Sequence, residues 1–233
     1  MDQVILEIKN LSFQWKDSGS QLLDIPDFKL KKHEHVFLQG PSGSGKSTLL
    51  GLIGGILVSD SGELKLLGQD IKSLSRSGRD SFRVDHVGFI FQLFNLLPYL
   101  SIEENVMLPL SFSKLRAKKA GKSKIDQVNN AERLLKSLGL GEQLANNKPV
   151  TELSVGQQQR VAAARALIGN PELIIADEPT SALDSDLRYS FLELLFSECK
   201  KTESTLLFVS HDSTLRNLFS RKISMDDINN KVN

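Results

Sequence analysis

Apolar and polar positions alternate along much of the chain with two periods, one typical of strands and one of helices. Gln3–Trp15 alternates residue by residue, which predicts a half-buried strand, and Asp24–Gly40 predicts a second strand, a turn and a buried strand over His35–Gln39. Further strands are predicted over Gly62–Ile71, Val87–Gln92, Glu172–Asp177 and Thr205–Ser210, and a helix over about 186–201. Strands that alternate with helices favour an α/β fold with a mostly parallel sheet covered on both faces.

The middle of the chain has the helical period instead. Ile125, Val128, Leu134, Leu135 and Leu138 form one apolar stripe, and the following glycine is placed to end the helix. We therefore expect a helical insertion over residues 93–164 within a single domain that spans residues 1–233.

Composition and charge exclude several classes of protein. The 29 basic and 28 acidic residues leave a net charge of +1, so no overall field favours a nucleic acid as partner. The single cysteine, Cys199, cannot form an intrachain disulfide. Met1 is not followed by a basic and then apolar leader, and the longest apolar run, Leu49–Val58, is half of the roughly 20 residues that a membrane span needs. We expect neither a cleaved leader nor a membrane-crossing segment.

A glycine-rich segment joins a predicted buried strand to an apolar helix. It fits the pattern G-x-x-x-x-G-K-[ST], in which glycines let the backbone N–H groups curl around phosphate oxygens. In this pattern the lysine, here Lys46, reaches the β- and γ-phosphates. The hydroxyl of the following residue, here Ser47, binds Mg²⁺. The candidate nucleotide-binding residues are Gly40, Pro41, Ser42, Gly43, Ser44, Gly45, Lys46, Ser47 and Thr48. The motif alone leaves kinases, GTPases and ATPases open.

Two adjacent acidic residues end the predicted strand Glu172–Asp177. A carboxylate at the carboxyl end of a buried strand, Asp177, is placed to hold Mg²⁺, and Glu178 is placed to take a proton from an attacking water. The chain has no Asn-Lys-x-Asp element of the kind that selects guanine in GTPases. ATP is therefore favoured over GTP.

The segment "LSVGQQQR", which begins at Leu153, resembles the signature sequence of ATP-binding-cassette (ABC) ATPases. The other motifs of that family are present in order: Gln92 resembles its Q-loop, Ser181–Asp184 its D-loop, and His211 its switch histidine. The resemblance covers nearly the whole chain. It implies a P-loop NTPase core of the RecA type, an N-terminal antiparallel β subdomain and an inserted α-helical subdomain.

In that family, two subunits meet head to tail and hold two ATP molecules between them. The resemblance implies that Ser154, Val155, Gly156 and Gln157 face the γ-phosphate of the ATP held by the partner subunit, at a helix N-terminus where N–H groups favour an anion. It also implies that Glu178 is the general base, that His211 contacts the γ-phosphate, and that Asp184 couples the two sites. Ser47, Gln92 and Asp177 are the implied ligands of Mg²⁺.

Three positions depart from the family pattern or leave an alternative open. Val155 stands where the family usually has glycine, so its backbone must lie in an ordinary region or be strained. His33 also replaces a glycine, although histidine tolerates a positive φ better than most residues. Trp15 lies where the family often places an aromatic that stacks on adenine, with Phe13 as the rival and core packing as the alternative for both.

The resemblance also implies a membrane partner. The sequences of Phe91–Leu110 and of the signature segment are similar to those of ATPases that release lipoproteins, export macrolides or antimicrobial peptides, or act in cell division. We expect an ATPase subunit that is peripheral to the membrane, at the cytoplasmic face of the inner or plasma membrane. We expect it to power a separate permease of the export type. The alternatives are a regulatory ATPase that signals through a membrane partner without moving cargo, a cassette protein of translation or DNA repair, and a nucleoside kinase.

The basic segment Lys114–Lys124 contains six basic residues and no acidic one. Such a segment can attract anionic lipid headgroups. A solvated loop is the simpler interpretation.

Overall fold

The computed structural model describes residues 3–16 and 20–231. The described chain divides into two compact units. The first ends at Arg83 and resumes at Leu207, and the second is Val84–Leu206. In this part of the chain, no helix is both long enough and apolar enough to cross a bilayer. The predicted helical segment 93–164 lies inside the second unit, and its status as a separate subdomain stays a prediction.

An antiparallel sheet forms the N-terminal part of the first unit, as predicted. Its strands are β1 (Val4–Gln14), β2 (Gln21–Lys31), β4 (Ser61–Leu66) and β5 (Gln69–Asp70). Within the sheet they follow the order β2-β1-β4-β5. The single strand predicted over Gly62–Ile71 is wrong, because Leu67 and Gly68 have φ of 54° and 79° and turn the chain into a hairpin.

The rest of the first unit carries the strand that precedes the glycine-rich segment. Strand β3 (His35–Gln39) pairs in parallel with β9 (Arg221–Ser224) and has the end of β8 (Thr205–Val209) on its other side. Phe37, Phe208 and Phe219 pack beneath these strands with ring centroids 5.1 to 6.1 Å apart. The unit's helices are α1 (Lys46–Ile53), most of α2 (Arg76–His86) and α9 (Met225–Ile228).

The second unit combines a parallel strand pair with six helices. Strand β6 (Val87–Ile90) pairs in parallel with β7 (Leu173–Asp177). A side-chain carbon at Gly88 would lie 2.3 Å from the carbonyl oxygen of Ala166, so only glycine allows β6 to lie this close to the helix that contains Ala166. The helices are α3 (Ile102–Met107), α4 (Lys114–Ala120), α5 (Lys124–Ser137), α6 (Gly141–Ala145), α7 (Val155–Leu167) and α8 (Ser185–Lys201).

Two sequence-based expectations for the second unit are wrong. Ile125 was expected in the buried stripe of α5, but its side chain is 73% exposed at the start of that helix, whereas Leu134, Leu135 and Leu138 are buried. The basic segment Lys114–Lys124 is not a solvated loop throughout, because residues 114–120 form α4. Arg116 within α4 is only 2% exposed.

A charged cluster fixes the start of β7. The carboxylate of Glu172 accepts a hydrogen bond from Lys119 Nζ at 2.7 Å and contacts His86 Nδ1 at 2.9 Å. Burial raises the pKa of Glu172, but the hydrogen bonds from His86 and Lys119 outweigh burial and lower that pKa to about 2. The ionised carboxylate is therefore the form that stabilises this unit.

We predict that Glu172→Gln lowers the free energy of unfolding by about 1 to 2 kcal/mol at pH 7. Because the folded-state pKa lies below the ordinary value, this difference is fully present above about pH 4.5 and shrinks as the pH falls towards 2. Urea unfolding at a series of pH values measures it, with Glu193→Gln on the exposed face of α8 as the matched control. A difference that grew on acidification would contradict the assignment.

Candidate functional site

The glycine-rich segment lies between β3 and α1, where the sequence predicted it. Gly43 and Gly45 have φ of 82° and 94°, a region that other residues rarely adopt, and Gly45 is the N-cap of α1. A side-chain carbon at Gly45 would lie 2.5 Å from Leu23 Cδ2, so packing also requires this glycine. No side chain caps the first turn of α1, and that turn contains no acidic residue. The amino end of α1 therefore presents the positive end of the helix dipole, which favours an anion.

Lys46 closes this loop on itself. Its Nζ donates hydrogen bonds to the carbonyl oxygens of Gly40 and Pro41, at 2.7 and 2.8 Å. The buried hydroxyl oxygen of Ser44 has no hydrogen-bond partner among the described residues. A buried hydroxyl of this kind is costly unless something satisfies it, and a phosphate oxygen is a suitable partner. The loop thus fits a polyphosphate chain.

Two predicted magnesium ligands lie at one edge of the second unit's strand pair. Ile90 of β6 is in register with Ala176 of β7, so Asp177, the last residue of β7, and Gln92, two residues after β6, lie at the carboxyl ends of neighbouring strands. Asp177 is partly buried and Gln92 is exposed. Oxygen ligands at this edge are the kind that Mg²⁺ prefers.

Glu178 has an unusual backbone conformation. Its φ is 48°, which is uncommon for a residue with a side chain and costs on the order of 1 kcal/mol. Its carbonyl oxygen accepts a hydrogen bond from Ser181 N at 3.2 Å, so a tight turn follows the strand. The turn directs the chain away from β7 immediately after the second carboxylate.

The structure brings His211 to the start of the glycine-rich loop. Ser210, directly before it, donates its N–H to the carbonyl oxygen of Leu38 at 3.2 Å, and Leu38 lies two residues before Gly40. His211 itself is exposed. A contact between its side chain and a bound phosphate stays a prediction.

The two candidate aromatics differ in exposure. Phe13 is 6% exposed and belongs to the core of the antiparallel sheet, whereas Trp15 is 47% exposed and packs edge-on against the Phe13 ring at 5.2 Å. Of these two residues, Trp15 is therefore the one whose ring is exposed enough to stack on a base.

Helix α7, called here the signature helix, begins with a reciprocal cap. Ser154 Oγ accepts a hydrogen bond from Gln157 N, and Gln157 Oε1 accepts one from Ser154 N at 2.9 Å. Val155 is the first helical residue and is 46% exposed, so its backbone lies in an ordinary region, which was one of the two outcomes predicted. The N–H groups of Val155 and Gly156 have no partner within the helix.

Packing within the chain does not require the glycine at position 156. A side-chain carbon there would lie 3.5 Å from Leu183 Cδ2 and 3.8 Å from Leu187 Cδ1, which are ordinary contact distances. A role for this glycine towards a partner therefore stays a prediction. Asp184, nearby in sequence to these leucines, caps α8 by accepting a hydrogen bond from Leu187 N at 3.0 Å.

The sequence did not single out two residues that tie the signature helix to the surrounding motifs. Arg165 donates to the carbonyl oxygens of Phe94 and Asn95, the latter at 2.6 Å, just after Gln92. Gln159 donates through Nε2 to the carbonyl oxygen of Pro179 at 2.6 Å, directly after Glu178. Gln159 stands in a polar run and Arg165 among apolar residues, and neither pattern indicates which distant backbone carbonyl the side chain contacts.

The sequence profile described as "ABC transporter" matches residues 23–181, which include the glycine-rich loop, Gln92, the signature segment and both carboxylates. The chain belongs to the ABC transporter family. It is an ATP-binding subunit of that family and an ATPase, as the motifs predicted.

Relatives and solved structures are similar over most of this ABC ATPase. It is 40% identical over 225 residues to the lipoprotein-releasing system ATP-binding protein LolD of Porphyromonas gingivalis, covering 96% of this chain and 97% of that protein. It is 44% identical over 186 residues to the uncharacterized ABC transporter ATP-binding protein YbbA of Escherichia coli K12, covering 80% and 78%. The dimeric post-hydrolysis structure of the ATP-binding cassette MJ0796 with ADP and Pi superposes with a TM-score of 0.82 at 36% identity, covering 94% and 93%. The predicted cassette fold is therefore confirmed.

Proposed function

We propose that this ABC ATPase hydrolyses Mg²⁺-ATP as a head-to-tail homodimer and powers a separate permease, to which it binds at the cytoplasmic face of the membrane. The observation that carries the proposal is the glycine at the start of the signature helix. Contacts within the chain would allow a side chain at Gly156, so packing does not explain why a glycine is present there. The dimeric MJ0796 cassette and the lipoprotein-releasing relatives support it. They favour export, with lipoproteins among the candidate cargoes.

The proposed roles follow the motifs residue by residue. The loop from Gly40 to Thr48 binds the phosphates and Trp15 stacks on adenine. Ser47, Gln92 and Asp177 supply oxygen ligands for Mg²⁺, which neutralises phosphate charge when bound. In the catalytic set, Glu178 takes a proton from the attacking water and His211 contacts the γ-phosphate. The helix start Ser154–Gln157 closes over the nucleotide of the partner subunit, and Asp184 joins the two sites.

The first test is assembly. Purified protein with Mg²⁺ and a non-hydrolysable ATP analogue should change from monomer to dimer in light scattering, and the protein in membranes should co-purify with an integral membrane partner. A protein that stays monomeric with the analogue, even with that partner present, contradicts the proposal. Transfer of a cargo molecule in vesicles that contain the complex separates transport from signalling without cargo.

Lys46→Ala is expected to weaken ATP binding about tenfold or more. The ammonium of Lys46 can exchange its two carbonyl partners for phosphate oxygens, and a hydrogen bond to a charged group contributes about 1.5 to 3 kcal/mol. Calorimetry with ATP at fixed Mg²⁺ measures the affinity. Lys136→Ala is the control, because Lys136 is 58% exposed and pairs only with Glu132 along α5 in the described ion pairs. Equal affinity in wild type and Lys46→Ala would remove Lys46 from the site.

A further inference from the structure

Gln159 lies inside the signature helix, five residues after its N-cap Ser154, and its side chain is fully buried. Its Nε2 donates a hydrogen bond to the carbonyl oxygen of Pro179 at 2.6 Å, twenty residues along the chain. A rigid helix is thereby joined to the segment that carries the candidate general base. Within this segment, Ser181 N donates to the carbonyl oxygen of Glu178 at 3.2 Å and Leu183 N donates to that of Thr180 at 3.2 Å, so both bonds are local.

The bonded residue is the immediate neighbour of Glu178. Pro179 has no N–H, so its carbonyl is its one backbone hydrogen-bonding group. Glu178 has φ of 48°, a sparsely populated conformation that persists only where the surroundings impose it. The hydrogen bond from Gln159 fixes the peptide group that follows Pro179. It therefore restrains the path of the backbone through Glu178, immediately after β7.

The carbonyl oxygen of the Gln159 side chain supports a specific role for the Nε2 donor of the same amide. The buried Oε1 of Gln159 has no hydrogen-bond partner among the described residues. A buried acceptor without a partner is destabilising, and an apolar residue of similar volume would fill the position without that cost. The described hydrogen bond of this buried amide is therefore the one to the carbonyl oxygen of Pro179, next to Glu178.

We propose that Gln159 is a positioning residue that couples the signature helix to the general base of the same chain. This inference rests on the proposed function, in which the start of the signature helix contacts the nucleotide of the partner subunit. When that contact moves or stiffens the helix, the bond to Pro179 carries the change to Glu178. Each subunit thus prepares its own base only after its helix has engaged the other nucleotide.

The test compares Gln159→Leu with Gln159→Met, which retain volume and lose the donor. With folding verified by circular dichroism, we expect kcat for ATP to fall about tenfold while the ATP dissociation constant and KM stay within about twofold. ATP-dependent dimerisation should persist, and in a Glu178→Gln background neither variant should lower the residual rate further. Gln143→Leu is the matched control, because Gln143 Oε1 is also buried without a described partner but lies on α6.

A double-mutant cycle tests the coupling itself. Ser154→Ala and Gln159→Leu should lower kcat together by less than the product of their separate effects, since both act through one helix. Multiplicative effects, an unchanged kcat in Gln159→Leu, or a loss of ATP binding equal to the loss of turnover would each overturn the inference. If wild type neither dimerises nor hydrolyses ATP, the proposed function fails instead, so the two failures are distinguishable.

Discussion

Glu178→Gln is expected to reduce ATP turnover by about 100-fold or more and to leave ATP binding intact. An amide has the shape of the carboxylate but cannot take a proton from water, and general-base catalysis contributes roughly 10² to 10⁴ in rate. Because the substitution does not change the backbone, the turn from Glu178 to Ser181 and the bond from Gln159 to Pro179 should both persist. Steady-state phosphate release measures kcat, and light scattering with ATP should show a long-lived dimer, since the nucleotide is bound but not cleaved.

Glu203→Gln is the matched control for this prediction. Glu203 also has a positive φ, of 55°, and is exposed in the turn that follows α8. The same chemical change at the same kind of backbone position should leave turnover within about twofold, because the residue lies outside the motifs. A Glu178→Gln protein that hydrolyses ATP at the wild-type rate would assign the base to another group.

The glycine-rich loop was predictable because its determinants are local. A buried strand, glycines at the two positions of positive φ and a lysine at the helix start all lie within the twelve residues His35–Lys46, and each acts on its own backbone. The same is true of His33, whose φ of 63° was anticipated from the glycine it replaces. Strand ends were misplaced where a turn competes with the apolar pattern, as at Leu67 and Gly68.

Buried polar side chains were not predictable, because their partners are distant in sequence. Gln159 is one of three consecutive glutamines, and only packing shows that it is the one without exposed surface. Arg116 stands among lysines that look alike in sequence, yet its partners are about fifty residues away. Conversely, Ile125 fits the helical period but precedes the part of α5 that packs. Periodicity locates an element but does not show which polar residues its neighbours require.

Arg116 shows how much stability such a residue can supply. Its Nε donates to the carbonyl oxygen of Ile168 at 2.8 Å, and its Nη2 donates to those of Ala166 at 2.8 Å and Arg165 at 3.3 Å. These carbonyls belong to the end of the signature helix, which has no further turn to satisfy them and carries the negative end of the helix dipole. Burial lowers the pKa of Arg116 to about 10, against the opposing effect of Glu172 and Asp85, so the guanidinium remains charged at neutral pH.

Arg116→Met is therefore expected to lower the free energy of unfolding by about 3 kcal/mol, roughly a 100-fold change in the folding equilibrium, because it leaves buried carbonyls without donors. Arg116→Lys should lose about half as much, since one ammonium cannot replace the planar fork. Lys118→Met, an exposed site on the same helix, should change stability by less than about 0.5 kcal/mol in urea unfolding. If Arg116→Met were as stable as Lys118→Met, solvent would have to reach the end of the signature helix, and the buried guanidinium would not be what secures it.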